Sequence, residues 1–147
     1  MSLMNIFDIA GSGMSAQSVR LNTTSSNIAN AESVASNTDE TYRARHPVFA
    51  AQLQSAMQNS PFDFAADQLK AGAGVDVMGI VESDAPLQLR YEPHHPQADE
   101  NGYVSYPNVN IVEEMANMIS ASRSFQNNVD VMNSAKQMMQ QALTLGR

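Results

Sequence analysis

Residues 111–145 read IVEEMANMISASRSFQNNVDVMNSAKQMMQQALTL, and this stretch decides the fold of the chain. Selected positions along it recur at alternating spacings of four and three residues. A repeat of about 3.5 residues held over about four heptads predicts a helix that keeps one side against another helix, as in a coiled coil. We call this side the C-terminal seam. Its members are Ile111, Met115, Met118, Ser122, Phe125, Val129, Met132, Lys136, Met139 and Leu143.

A matching pattern, the N-terminal seam, predicts a helix over residues 3–31. Its members are Leu3, Phe7, Ala10, Met14, Gln17, Leu21, Thr24, Ile28 and Ala31. This helix contains Gly11 and Gly13, and ten Ser, Thr or Asn residues lie between Ser12 and Asn30. Summed helix propensities make it roughly 7 kcal/mol worse than polyalanine. It must therefore draw its stability from packing, and we expect it to be disordered until that packing is available.

The partner of each seam is open at this stage, because the two helices can pack on each other or on other chains. The seam methionines favour a buried core, with an adaptable binding groove as the alternative. Four polar members of the seams are candidates for fixing register, as a single polar residue does in a zipper. These are Gln17, Thr24, Ser122 and Lys136.

The net charge of −7 argues against nucleic acid as a partner of this chain. Residues 37–109 carry −6 of the net charge of −7, whereas residues 110–147 are neutral. An acidic chain without a Lys/Arg cluster is poorly suited to binding nucleic acid, so we expect no nucleic-acid partner.

There is no cysteine, which excludes disulfides and thiolate sites. The N-terminus lacks the features of a cleaved signal peptide, and Arg20 is the only cation of the first helix, so we expect neither membrane insertion nor surface binding.

The middle of the chain predicts a small β-rich lobe. Residues 42–53 contain Pro47 and predict an edge strand or an extended arm, whereas residues 54–74 predict an irregular loop. Alternating residues at 75–81 and 87–91 predict a hairpin with its turn at 83–86. Residues 91–104 predict a structured loop or a short hairpin. Asn108 or Asn110 is the expected N-cap of the last helix, which Gly146 ends. The expected fold class is α+β, with terminal helices at 1–36 and 110–147 and the lobe at 37–109.

No catalytic or metal chemistry is predicted. His94 and His95 are adjacent in an extended segment and point to opposite sides, so they do not chelate one ion with Asp99 or Glu100. The serines lack a nucleophile-elbow context or an obvious His–acid pair. We therefore expect no enzyme activity, no cofactor and no metal.

Four stretches together resemble a known family. The stretch LNTTSSNIANA at 21–31, followed by Tyr42-Arg43-Ala44, resembles the N-terminal signature of bacterial flagellar rod and hook proteins. NIFDIAGS at 5–12, HPQAD at 95–99 with GYV at 102–104, and PNVN at 107–110 leading to Glu113-Glu114-Met115 narrow the likeness to the proximal-rod group. The motif residues carried over are Asn27, Ala29, Asn30, Ala31, Tyr42, Pro96, Asp99, Gly102, Tyr103, Val104, Pro107, Asn108, Asn110, Glu113 and Glu114.

The resemblance implies a structural subunit of the basal-body rod in the periplasm. Such a subunit is exported uncleaved by the flagellar type III apparatus, contacts other rod subunits and the inner-membrane ring junction, and transmits torque around the export channel. Its terminal helices form a coiled coil in a higher-order helical assembly. The expected subunit-packing residues are Leu3, Phe7, Met14, Leu21, Ile28, Ile111, Met115, Met118, Phe125, Val129, Met132, Met139 and Leu143. A soluble export adaptor or chaperone is the alternative.

Overall fold

The computed structural model describes residues 3–52 and 74–145 of the 147-residue chain. A long helix stands at each end of the chain, and four short strands lie between the two helices in the sequence. This confirms the predicted α+β class. In chain order the elements are α1 (Leu3–Ala29), β1 (Arg45–Ala51), β2 (Val75–Glu82), β3 (Gln88–Tyr91), β4 (Tyr103–Tyr106) and α2 (Ile111–Leu145). The predictions for residues 54–73 and for the helix stop at Gly146 lie outside the described residues. Within the described part, no helix is long and apolar enough to cross a membrane.

The start of α2 follows from its first residues. The Asn110 side-chain oxygen accepts hydrogen bonds from the backbone N–H groups of Val112 at 3.1 Å and Glu113 at 3.5 Å. Asn110 is thus the N-cap, and it satisfies donors that the helix itself leaves without partners. Two acidic residues in the first turn complement the positive end of the helix dipole. Of the two predicted N-cap residues, Asn110 is the N-cap, whereas the Asn108 side chain bonds to backbone groups of Ala44, Ser83 and Ala85.

The two helices pack antiparallel. Arg20 on α1 donates to Asn117 on α2, and Asn27, farther along α1, donates to Glu114, which is earlier on α2. Near the start of α1, a Cβ placed on Gly13 would lie 2.9 Å from the Asn128 side-chain nitrogen. Glycine at this position therefore lets the two backbones approach closely.

The face of α2 that packs on α1 differs from the C-terminal seam at four of its ten positions. The buried residues of α2 are Glu114, Ala121 and Ala135, and Asn128 continues the same seven-residue spacing. These residues stand one position before Met115, Ser122, Val129 and Lys136. At positions 121 and 135 this face carries alanine, because close contact between the helices selects small side chains there. The opposing face of α1 likewise buries Ala10 and Ala16.

The strand pairing differs from the predicted hairpin. The strands near 75–81 and 87–91 exist, but β2 pairs antiparallel with β1, and β3 pairs antiparallel with β4. The predicted pairing of β2 with β3 is therefore wrong. Both β1 and β2 contact α1, so their pairing across a long connection covers that helix. In a two-stranded sheet β1 is an edge strand, as Pro47 predicted.

A compact core lies where the strands meet the helices. Ala31, Ala44 and Val109 are buried together, and Tyr42 and Ile111 pack against them. Residues 32–41 form turns, and Ala35 makes a two-way backbone bridge to Ser105 in β4. The end of α1, the start of β1 and the entry to α2 are thereby fixed at one point.

The β3–β4 hairpin closes through one carboxylate and one glycine. The Asp99 side chain accepts the backbone N–H groups of Asn101 at 2.9 Å and Tyr103 at 2.8 Å. Gly102 has a φ of +82°, a conformation that residues with a side chain rarely adopt. A Cβ there would lie 2.9 Å from the Tyr91 ring. The loop geometry therefore depends on glycine at 102.

We predict that Gly102→Ala opens this hairpin locally. The positive φ alone costs about 1–2 kcal/mol, so the amide protons of Glu92 and Asp99 should exchange about tenfold faster with solvent. Hydrogen exchange measured by NMR tests this. Gly11→Ala is the control, because nothing lies within 4 Å of a Cβ at that position. Unchanged exchange in the Gly102 variant would contradict the assignment.

Candidate functional site

Asn27, near the end of α1, makes four hydrogen bonds through its side chain. Its side chain is fully buried, with 0% exposure. Its Nδ2 donates to the Arg45 carbonyl at 2.8 Å and to Glu114 Oε2 at 3.0 Å. Its Oδ1 accepts the Tyr42 hydroxyl and the Arg45 backbone N–H, both at 2.9 Å. All four hydrogen bonds available to an asparagine side chain are therefore made.

These bonds join three parts of the chain. Asn27 belongs to α1, Tyr42 and Arg45 precede or begin β1, and Glu114 lies in the first turns of α2. We call these four residues the polar junction. A hydrophobic contact tolerates sliding, whereas four directed hydrogen bonds specify one register for the helices and the strand. The junction therefore sets how the helix pair meets the β-rich part.

Tyr42 and Arg45 are held by further contacts. Because the Tyr42 hydroxyl donates to Asn27, it accepts from Ser26 Oγ at 3.3 Å. The Arg45 guanidinium lies 5.4 Å from the Tyr42 ring centroid, in a cation–π contact. Arg45 also pairs with Glu82, the residue opposite it in the β1–β2 register, at 3.0 Å. The outer edge of the junction is thus tied to β2.

Glu114 is the unusual member, because it is an acidic residue with only 5% exposure. Removing a carboxyl group from water is costly unless hydrogen bonds compensate for it. The Asn27 amide supplies one such bond from inside the helix pair. Glu114 is therefore part of the contact between α1 and α2.

Asn108 provides a second, smaller tie. Its Oδ1 accepts the Ala44 N–H at 2.8 Å, and its Nδ2 donates to the carbonyls of Ser83 at 3.3 Å and Ala85 at 2.9 Å. This one side chain links the start of β1, the segment after β2 and the entry to α2. Backbone groups that lie outside any regular ladder are satisfied in this way.

The remaining motif residues build local structure. Val104 and Pro107 are fully buried, whereas Asp99 and Gly102 shape the β3–β4 loop. The His95 ring nitrogen Nδ1 accepts the Gln97 N–H at 3.1 Å, so that histidine serves a turn. Among the described residues, no three His, Cys, Asp or Glu side chains come together as a metal site.

The predicted packing residues fall into groups that differ in exposure. Phe7, Met14, Leu21 and Ile28 on α1 and Met118, Phe125, Val129, Met132 and Met139 on α2 are partly buried. Ile111 packs on the core cluster. Met115 and Leu143 are 52% and 69% exposed. The side chain of Leu3 lies outside what the structure describes.

Sequence reasoning found part of the polar junction and missed part. Asn27, Tyr42 and Glu114 stand in the motifs singled out above, yet nothing in the sequence indicated that they touch. Arg45 was missed altogether. It takes part mainly through its backbone N–H and carbonyl, and backbone groups leave no trace in a sequence pattern.

Two family models match the two ends of the chain. Residues 7–35 match the family described as flagella basal body rod protein, and residues 100–145 match the C-terminal family of the flagellar basal body rod proteins FlgEFG. The first match includes Asn27, and the second includes Asn108 and Glu114. The matched regions therefore include residues of the polar junction and the Asn108 side chain, whose hydrogen bonds are described above.

Full-length relatives decide the family. The flagellar basal-body rod protein FlgC of Salmonella typhimurium strain LT2 is 50% identical over 147 residues, covering 100% of both chains. The chain belongs to the FlgC family. The FlgC protein of Escherichia coli O6:H1 is 49% identical over the same full length. That of Borreliella burgdorferi is 38% identical over 151 residues, covering 99% of this chain and 98% of the relative.

Membership of the FlgC family makes the chain a structural component of the flagellar basal-body rod. It confirms the resemblance found in the sequence motifs. The polar junction therefore holds α1, β1 and α2 together within a FlgC-family subunit. Loss of the junction should reduce assembly of the rod.

We predict that Asn27→Ala and Asn27→Asp both abolish swimming. Alanine removes all four hydrogen bonds and leaves the buried Glu114 carboxylate without its amide partner, at a cost of about 3 kcal/mol, and aspartate places a second carboxyl against Glu114. The measurement is ring diameter on soft agar and rod yield in isolated basal bodies, in a strain that carries only the variant. Asn22→Ala is the matched control, because Asn22 is an exposed asparagine of the same helix. Swimming of either Asn27 variant at the control level would refute the role of the junction.

Proposed function

We propose that this chain is a proximal-rod subunit that assembles through its terminal helices into the axial tube of the flagellar basal body. The observation that carries the proposal is the apolar surface that α2 leaves exposed. Val112, Met115 and Ile119 are 77%, 52% and 56% exposed and recur at helical spacing on one side of α2. An apolar stripe of this kind on a helix marks an interaction surface.

Neighbouring subunits would complete the burial of the terminal helices. Intramolecular packing uses the face of α2 that carries Glu114, Ala121, Asn128 and Ala135, and this leaves members of the C-terminal seam, such as Met115 and Leu143, exposed. If the terminal helices also pack on other rod subunits in a coiled-coil layer, the exposed seam residues are buried as well as the face of α2 that contacts α1. A contact of this kind that repeats head to tail without closing produces a helical tube.

The finer expectations belong to the same proposal. The subunit passes the type III export apparatus without a cleaved signal peptide, reaches the periplasmic rod, and joins the inner-membrane ring junction to further rod subunits. It transmits torque and surrounds the export channel. Low helix propensity in α1 suits export, because a weak helix is readily undone. The division into helices at 1–36 and 110–147 with a lobe at 37–109 fits this role.

Deletion of the gene tests the function directly. We expect the strain to build no complete rod and not to swim, and the wild-type gene to restore both. Basal bodies isolated from the deletion strain and examined by electron microscopy give the readout. A complete rod in that strain would refute the proposal.

We predict that Met115→Asp abolishes swimming although the subunit itself stays intact. The side chain is exposed in the single chain, so the change leaves the fold unaffected, whereas burial of an unpaired charge against a neighbour blocks assembly. Leu21→Asp and Phe125→Asp should also abolish swimming, because they disturb the partly buried face within the subunit. Gln126→Asp, at an exposed position of α2, is the control. Normal swimming with Met115→Asp would show that this side of α2 has no neighbour.

The alternative of a soluble export adaptor or chaperone makes a different prediction for the purified chain. A rod subunit should have mobile termini that become helical only in an assembly, whereas a chaperone should be a stably helical dimer. Circular dichroism and proton NMR of the dilute protein distinguish them. A cooperative melt with full helix content in the dilute protein would favour the chaperone.

A further inference from the structure

A cleft between α1, β1 and α2 has the opposite charge sign to the chain as a whole. It encloses about 260 Å³. The described residues that line it are Arg20, Thr24, Arg45, His46, Pro47, Phe49 and Asn117. None of these lining residues is acidic, although the chain has 15 Asp and Glu residues against 8 Lys and Arg residues. The cleft is therefore a local site for an anion on an acidic protein.

Arg20 is held in place but lacks a counter-charge. Its Nη2 donates to Asn117 Oδ1 at 3.0 Å, and the side chain is partly buried between the helices. Within residues 3–52 and 74–145 the ion pair that forms is Arg45–Glu82, so no described carboxylate pairs with Arg20. A guanidinium carries five N–H donors in a rigid fork, and a neutral amide oxygen takes up one of them here.

Arg45 is in a different situation. Its Nε and Nη2 both donate to Glu82 Oε1, at 3.2 and 3.0 Å, and its guanidinium lies over Tyr42. It carries its counter-charge already, so Arg20 is the cation that an incoming anion would neutralise. Phe49 and Pro47 add apolar walls beside it. Reduced access of water strengthens a charge-assisted hydrogen bond at such a position.

We propose that this cleft receives a side-chain carboxylate from a neighbouring copy of the same chain. The inference rests on the proposed function, because it needs an assembly in which copies adjoin. Charge complementarity identifies the occupant: residues 37–109 alone carry a charge of −6, and one ion pair forms among the described residues. Each copy thus combines a middle segment rich in acidic residues with the cationic cleft beside Arg20. A contact between unlike surfaces of identical chains is one that repeats along a tube.

Charge changes in the cleft test the proposal. Arg20→Glu should reduce rod yield in isolated basal bodies about tenfold or more, since removing one partner of a desolvated ion pair is costly. His46→Glu is the second variant. It leaves the Arg20–Asn117 contact in place but supplies an internal carboxylate that competes with the neighbour, so it should also lower rod yield. Arg123→Gln, at an exposed arginine of α2, and His46→Gln are the matched controls.

A cross-link identifies the occupant. A photoreactive phenylalanine analogue at Phe49, activated in isolated basal bodies, should give a product twice the mass of the chain. Mass spectrometry should place the second end within a few residues of an Asp or Glu of another copy. Cross-links only within one copy, or only to a different axial protein, would overturn the proposal. So would normal rod yield in both glutamate variants.

Failure of this inference is distinct from failure of the proposed function. If the deletion strain lacks rods and the wild-type gene restores them, the chain is a rod subunit whatever the cleft does. Normal rods in the Arg20 and His46 variants would then reject the cleft alone. A complete rod in the deletion strain would reject both.

Discussion

The structure depends on the four hydrogen bonds of one buried asparagine. Asn27 lies where the end of α1, the start of β1 and the first turns of α2 come together, and it binds a group from each of the other two. The buried members of the nearby core cluster, Ala31, Ala44 and Val109, are small, so hydrophobic burial by itself gives little preference for one register over another. Directed hydrogen bonds supply that preference, because a shift of one residue would leave several buried polar groups without partners.

The same constraint explains why the helices pack through small residues. Asn27 reaches Glu114, and Gly13 faces Asn128, only if the two helix axes lie close together. Alanine and glycine on the facing sides permit that distance, whereas methionine or phenylalanine would separate the axes. Larger apolar side chains are consequently displaced to the flanks and the outer side. A subunit built in this way has a tight internal contact and an apolar exterior that suits assembly.

The distribution of charge along the chain also suits close packing of the helices of neighbouring subunits. The helices are nearly neutral, and the acidity lies in the middle of the chain. Neutral helices of identical chains approach each other without strong repulsion, which a tube of closely packed helices requires. Against that background the cation-lined cleft beside Arg20 stands out, because the side chains that position it come from α1, β1 and α2 together. The polar junction that orders these three elements therefore also shapes the cleft.

The sequence by itself determined the two terminal helices, the N-cap region of α2, the positions of β1, β2 and β3, and the family. Each of these depends on local propensity, on spacing along the chain or on motifs, and these are properties of neighbouring residues. Only the tertiary structure decided which strands pair, which face of α2 meets α1, and that Asn27, Tyr42, Arg45 and Glu114 form one site. Strand pairing depends on contacts between distant segments, and Arg45 joins the site through backbone atoms that every residue possesses. The helix face was set by how closely two backbones approach, which a heptad of large side chains does not reveal.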